Sequence, residues 1–301
     1  MTAVVSPKAP TSILIAARNS RRRRFTNRVA MTLVSLAFLV ALVPLAALII
    51  YVIQRGGEVF NWSFLTSPIP ISPRLFGGGM GPAVAGTLLI TGAAALMALP
   101  LGILGGIYVH EYGERNPFAR LIRFLAEVMT GVPSVVMGLF VYVFVVLKTH
   151  EQNGLAGALA LAALMLPIVL RTTDEMLRLV PRELREGSYA LGTRKALTIR
   201  KVVLPSAAAG IVSGALLAVA RAAGETAPLL FTIGIVSETN WSLTNGPNTT
   251  LSQQIFINAS QPFPQAVDRA WGAALALVLI VFVFSILARL ATAFFSRRYN
   301  A

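Results

Sequence analysis

The chain of 301 residues contains no cysteine, which excludes disulfides and thiolate metal sites. Its two histidines, His110 and His150, are too few for a histidine-rich metal cage. Charge is sparse: Asp, Glu, Lys and Arg together make up 13% of the residues, and only 12 are acidic. No G-x-x-x-x-G-K-[ST] phosphate loop occurs, and Gly192-Thr193-Arg194-Lys195 is not one. The H-E-x-x-H, G-x-S-x-G and C-x-x-C patterns are missing as well. The chain therefore offers no catalytic residue, no metal ligand set and no cofactor site. If ATP drives what it does, a partner binds the ATP.

Apolar residues are abundant, at 55% of the chain, too many for an ordinary soluble domain. Six runs are long enough to cross a bilayer core, which takes ~20 helical residues. They lie at about 31–53, 83–109, 123–147, 154–173, 206–236 and 270–294. Backbone polar groups must pair within the segment in lipid, so each run is expected to be a helix. The fold class is thus all-α integral membrane, surrounded by lipid. The divisions are a basic segment at 1–30, a six-helix domain at 31–294 with a long loop at 174–205, and a tail at 295–301.

The net charge of +14 raises nucleic acid as a ligand. The placement of the charges argues for topology instead. Of the 26 lysines and arginines, 21 fall in residues 1–30, 110–123, 171–205 and the C-terminal end. All of these segments share one side of a six-span chain, so both termini are cytoplasmic by the positive-inside rule. No aromatic-interleaved basic module accompanies them, and nucleic acid is set aside. The outer connections at about 54–82 and 237–269 are rich in Pro, Gly, Asn and Ser and read as irregular.

The cytoplasmic loop reads DEMLRLVPRELREGSYALGTRKALTIRKVVLP. Pro181 suits the first position of a helix, Gly192 a left-handed helix end and Thr193 the cap of a second helix. That second helix is expected to stop at Leu204, before Pro205. Residue chemistry alone leaves two roles open for this hairpin: a docking element or an ordered connector.

Arg221 and Glu225 lie four residues apart within the fifth apolar run. At mid-membrane each charge costs ~2.5–3.5 kcal/mol, and the aliphatic residues around them return roughly the same total. The span is marginal unless protein or water receives the pair. Spacing four puts both on one face, within ion-pair reach. Gly224 and Pro228 bracket Glu225, so a kink or unwound turn is expected there. Gly210 and Gly214 form a G-x-x-x-G face suited to close helix packing. The pair either holds helices together or lines a transport path. Arg171 is a second path candidate, or else a positive-inside anchor. Glu127 has no obvious partner.

Glu186, Gly192, Val202, Leu204 and Pro205 resemble the "EAA…G…I-x-L-P" loop of ABC-importer permeases, with Gly187 and Ser188 at the two alanines and Val202 at the isoleucine. The resemblance implies a coupling helix, carried by Glu186, Gly187, Ser188, Gly192, Leu204 and Pro205, seated in a cleft of an ATP-binding subunit. "RAAGETAPLLFT" (221–232), "HEYG" (110–113), "RLIRFLAEVMTGVPSVVMGLFVYV" (120–143) and "LPIVLRTTDEMLRLVP" (166–181) are similar to the A-type permease family of phosphate-specific ABC importers. That implies a type I ABC-importer permease fold in the cytoplasmic membrane of a prokaryote, with both ends inside. It also implies a heterodimer with a C-type sister permease, a cytoplasmic ATP-binding subunit dimer and an extracytoplasmic phosphate-binding protein. Arg171 and Arg221 match positions that serve phosphate passage. Physics alone suits sulfate or molybdate equally well. A stand-alone secondary transporter is the remaining alternative, and it predicts inverted repeats that are not evident.

Overall fold

A computed structural model describes residues 20–113 and 116–299. Lys8, Arg18 and Arg115, counted above among the cytoplasmic cations, lie outside the described residues, as does most of the 1–30 segment. The described residues form helices without strands: α1 Ser20–Gly57, α2 Trp62–Thr66, α3 Gly81–Tyr112, α4 Pro117–Gly131, α5 Ser134–Thr149, α6 Gly154–Arg178, α7 Arg182–Ala190, α8 Lys195–Ala223, α9 Leu229–Thr232, α10 Leu251–Ala259 and α11 Pro264–Tyr299. The chain divides into two compact units, one up to Tyr51 and one from Val52 on. Five helices are long and apolar enough to cross a membrane, and the number is six if the bent pair α4–α5 counts as one span.

Three expected spans differ from the observed helices. The first includes Arg22, Arg23, Arg24 and Arg28, whose side chains are exposed, within Ser20–Gly57. Arginine is a good helix former, so the helix outruns its apolar stretch. The third span is not one helix. It bends by 107° between α4 and α5 at Val132–Pro133. Pro133 has no N–H to continue the ladder, and Val132 before it is extended at φ −75°, ψ 128°. The fifth begins at Lys195 and ends at Ala223, so its expected end at 236 is wrong and so is the expected stop before Pro205. A π turn over Ile199–Val203 precedes a renewed α segment from Leu204, which places Pro205 in a first turn where no intrahelical N–H is required.

The second unit is built around α3 and α6. Small residues let these helices approach closely: a methyl added at Gly106 would lie 2.6 Å from Thr173 Cβ and 2.7 Å from the Leu170 carbonyl. Helix α8 packs on the other side of α6, where Gly210 meets Met176 and Gly214 meets Thr172, as the G-x-x-x-G spacing predicts. Ile90, Ala94, Leu161, Met165, Leu229 and Ile233 form the central core between them.

The last outer connection is less irregular than its composition suggests, because it contains α10. Thr249, Thr250, Ser252, Gln253, Gln254 and Asn258 around this helix are all buried. They satisfy one another: Gln254 Nε2 donates to Thr249 Oγ1 at 2.8 Å, and Asn258 Nδ2 to Gln254 Oε1 at 2.9 Å. Buried amides are tolerated when so paired. Arg269, only 4% exposed, secures the other outer loop by donating to the carbonyls of Leu75 at 2.7 Å and Pro73 at 3.0 Å.

Candidate functional site

The cytoplasmic hairpin consists of α7, a turn at Leu191–Arg194 and the start of α8. Gly192 has φ +77°, the left-handed value expected of it, and its N–H donates to Tyr189 O at 2.9 Å. Two expected caps are displaced by one position. Pro181 is the residue before the helix, and Arg194 precedes the second helix without a side-chain cap. Thr193 closes the hairpin instead: its hydroxyl donates to Ser188 O and lies 2.9 Å from Ser188 Oγ, which also pairs with Thr198 Oγ1 at 2.9 Å. Ser188 is therefore turned inward and buried. Leu204 is half-buried on α8 beside the cluster of Leu177, Val180, Val203 and Ala207, and half-buried Pro205 follows it. Leu184, Glu186, Gly187, Tyr189 and the tip residue Leu191, which is 88% exposed, are open to solvent, Glu186 and Tyr189 on the side that faces the ends of α3, α4 and α6.

A polar network fastens this hairpin to the cytoplasmic ends of α3 and α6. Arg185 of α7 donates to Glu111 Oε1 at 2.5 Å and to Leu177 O at 3.2 Å, and its Nη2 lies 3.3 Å from His110 Nε2. His110 Nδ1 is 3.0 Å from Asp174 Oδ1. Asp174 also receives Arg178 at 2.9 Å and Arg123 of α4 at 3.4 Å. Lys195 Nζ donates to the Glu111 carbonyl and sits 4.2 Å over the Tyr112 ring. Five helices thus meet in one set of charge-assisted bonds, which are stronger than neutral ones. Replacing Arg185 with glutamine is expected to leave Glu111, 4% exposed, without its cation, at a cost of about 3–5 kcal/mol. Thermal unfolding in detergent reads that loss, and the double variant Arg185→Gln/Glu111→Gln is expected to recover more than half of it.

Arg171 bonds Glu175 one turn on, Nε to Oε1 at 3.0 Å, with both side chains largely exposed. Together with Glu127 it lines a small cavity of about 120 Å³ between α4 and α6, which supplies the neighbourhood Glu127 lacked in the sequence. Arg221 stands in the last turn of α8, and Glu225 lies beyond the helix end, in the unwound stretch the flanking Gly224 and Pro228 predict. Their Nε and Oε1 are 3.8 Å apart, an ion pair without a close hydrogen bond. The Arg221 side chain is 70% exposed, so nothing among the described residues seals it. Ser252 of α10 donates to the Glu225 carbonyl at 2.9 Å, tying the break to the buried polar helix.

Residues 98–301 match the protein family described as binding-protein-dependent transport system inner membrane component. The chain belongs to this family. Among curated relatives of this permease family, the phosphate transport system permease protein PstA of Mycobacterium leprae is 41% identical over 276 residues, 90% of each chain. PstA of Yersinia pestis is 42% identical over 269 residues, 89% of this chain and 90% of its own. PstA 1 of Mycobacterium tuberculosis strain H37Rv is 43% identical over 263 residues, 86% of this chain and 85% of its own. A crystal form of the MetNI methionine ABC transporter in an inward-facing conformation shares the fold, with a TM-score of 0.60 at 18% identity, covering 72% of this chain and 95% of the other.

The binding-protein-dependent permease family thus accounts for the five to six apolar helices, and the chain is a multi-pass component of the inner membrane. The sequence pointed to the hairpin and to Arg171, Arg221 and Glu225. It did not point to His110, Glu111, Asp174 or Arg185 as a unit. These residues lie 64 to 75 positions apart where they bond across helices, so no local spacing reports them. The one available signal was the position of His110, Glu111 and Asp174 at the ends of apolar runs, on the side where positive residues dominate.

Proposed function

We propose that the chain is one half of the membrane permease of an ATP-driven phosphate importer. Its partners in this reading are a sister permease, a pair of cytoplasmic ATP-binding subunits and an extracytoplasmic phosphate-binding protein. The observation that carries it is Arg221: a guanidinium left open at a broken transmembrane helix, with its carboxylate too far for a tight bond. Such a group presents a planar fork of donors to an oxyanion. Glu225 balances the charge while no cargo is present and releases it cheaply. The names of the relatives support phosphate among the oxyanions that the same donors would accept.

Hairpin α7 is the contact with the ATP-binding subunit. Leu184, Gly187, Tyr189 and Leu191 offer it an apolar, close-fitting surface. When the ATP-binding subunits close, they displace α7. Arg185 passes the displacement to α3 through Glu111 and to α6 through the Leu177 carbonyl. Interlocked helices move as rigid bodies, so a shift at the hairpin reaches the far ends of α3 and α6. The chain performs no chemistry on its cargo. Reconstitution with its partners in vesicles tests the assignment: ATP-dependent uptake of labelled phosphate is expected, and sulfate in excess leaves it unchanged. Uptake of sulfate in preference to phosphate overturns the cargo, and ion-driven uptake by this chain alone overturns the ATP-coupled mechanism.

A further inference from the structure

Between α7 and the cytoplasmic ends of α3, α4 and α6 lies a cleft of about 940 Å³. Its wall carries Arg123, Arg178, Arg182, Arg185 and Lys195 against the carboxylates of Glu111 and Glu186. Three of these cations are answered: Arg123 and Arg178 share Asp174, and Arg185 holds Glu111. Among the described residues, Arg182 and Lys195 have no carboxylate within ion-pair distance, and Lys195 is held by the Glu111 carbonyl and the Tyr112 ring, which leave its charge unneutralised. Even with Asp174 counted behind the wall, positive charge is in surplus. A concave surface of one sign concentrates counter-ions, and several N–H donors converging on it suit an oxyanion with more than one charge. The cavity at Arg171 shares Arg123 and Arg178 with the cleft, but Glu127, Asp174 and Glu175 line it too, so the positive surplus belongs to the cleft alone.

We infer that this cleft is a cytoplasmic oxyanion site for a phosphate-type dianion, supplied either as free phosphate or as the phosphate tail of a nucleotide. The bound dianion competes with Glu111 for Arg185. It thereby loosens the contact through which α7 holds α3, and it inhibits transport from the inside. Attraction to the positive surplus grows with the charge of the ligand and outweighs the repulsion from Glu111 and Glu186, so the site favours multiple charge. The binding part of this inference stands on the cleft alone, whereas the inhibition rests on the proposed function.

Binding of labelled pyrophosphate to the full chain in nanodiscs tests the site without any transport step. Saturable binding is expected, weakened about tenfold by Arg182→Gln and, independently, by Lys195→Gln. Two separate variants guard against misfolding of either one. Displacement by inorganic phosphate at lower concentration than by AMP supports free phosphate as the occupant, and the reverse order supports a nucleotide. In the complete complex, pyrophosphate on the ATPase side is expected to slow uptake several-fold, and either substitution should bring this below twofold. No saturable binding to the wild-type chain overturns the site, as does binding indifferent to both substitutions. Binding to the free chain that disappears in the complex also overturns it, because the ATP-binding subunit then fills the cleft. Persistent binding without phosphate uptake in any reconstitution would strike the transport reading and leave the site standing.

Discussion

Substituting Arg221 with glutamine is expected to cut ATP-driven phosphate uptake by about 10- to 100-fold, with the complex still assembled. The magnitude follows from losing a charge-assisted contact to a dianion, roughly 1.5–3 kcal/mol. Assembly should survive because the side chain is 70% exposed and its pairing with Glu225, at 3.8 Å, is loose. Surface-type ion pairs of this kind contribute ~0–1 kcal/mol to stability. Arg221→Lys separates charge from geometry: it keeps the cation and loses the planar fork, so partial uptake is expected. The measurement is initial uptake of labelled phosphate in reconstituted vesicles, normalised to co-purifying ATP-binding subunit. Wild-type uptake in Arg221→Gln would leave this residue with a packing role alone.

The hairpin turn should be equally sensitive, for a backbone reason. Gly192→Pro is expected to uncouple ATP hydrolysis from uptake. Gly192 sits at φ +77°, whereas proline is held near −65°, and the substitution also removes the N–H that bonds Tyr189 O at 2.9 Å. The turn cannot close, and α7 loses its angle to α8. Gly192→Ala is the graded control. A Cβ there meets nothing within 4 Å, so its cost is the left-handed conformation itself, about 1–2 kcal/mol. The expected order of the ratio of phosphate transported to ATP hydrolysed is wild type, then alanine, then proline. A proline variant with a normal ratio would show that the hairpin is a connector.

Several elements were legible before any coordinates. The apolar runs specified a multi-span helical protein, because lipid imposes length and internal pairing on any segment that crosses it. Gly192 was legible because a left-handed residue nearly demands glycine. The unwound stretch at Glu225 followed from Gly224 and Pro228. By contrast, the continuation of α8 through Pro205 was not legible, since a π turn one step earlier removes the conflict that proline ordinarily creates. The helix inside the last outer connection was hidden for a related reason. Gln253, Gln254 and Asn258 read as loop residues until their amides are seen to satisfy one another.

Composition by itself determined the membrane class and the presence of charges within or beside apolar runs, since each follows from the transfer energies of residues taken one at a time. Only the tertiary structure decided what those charges touch. The convergence of His110, Glu111, Asp174 and Arg185 depends on packing between distant helices. Contacts of that kind are set by where whole helices meet, and no local pattern of residues encodes them.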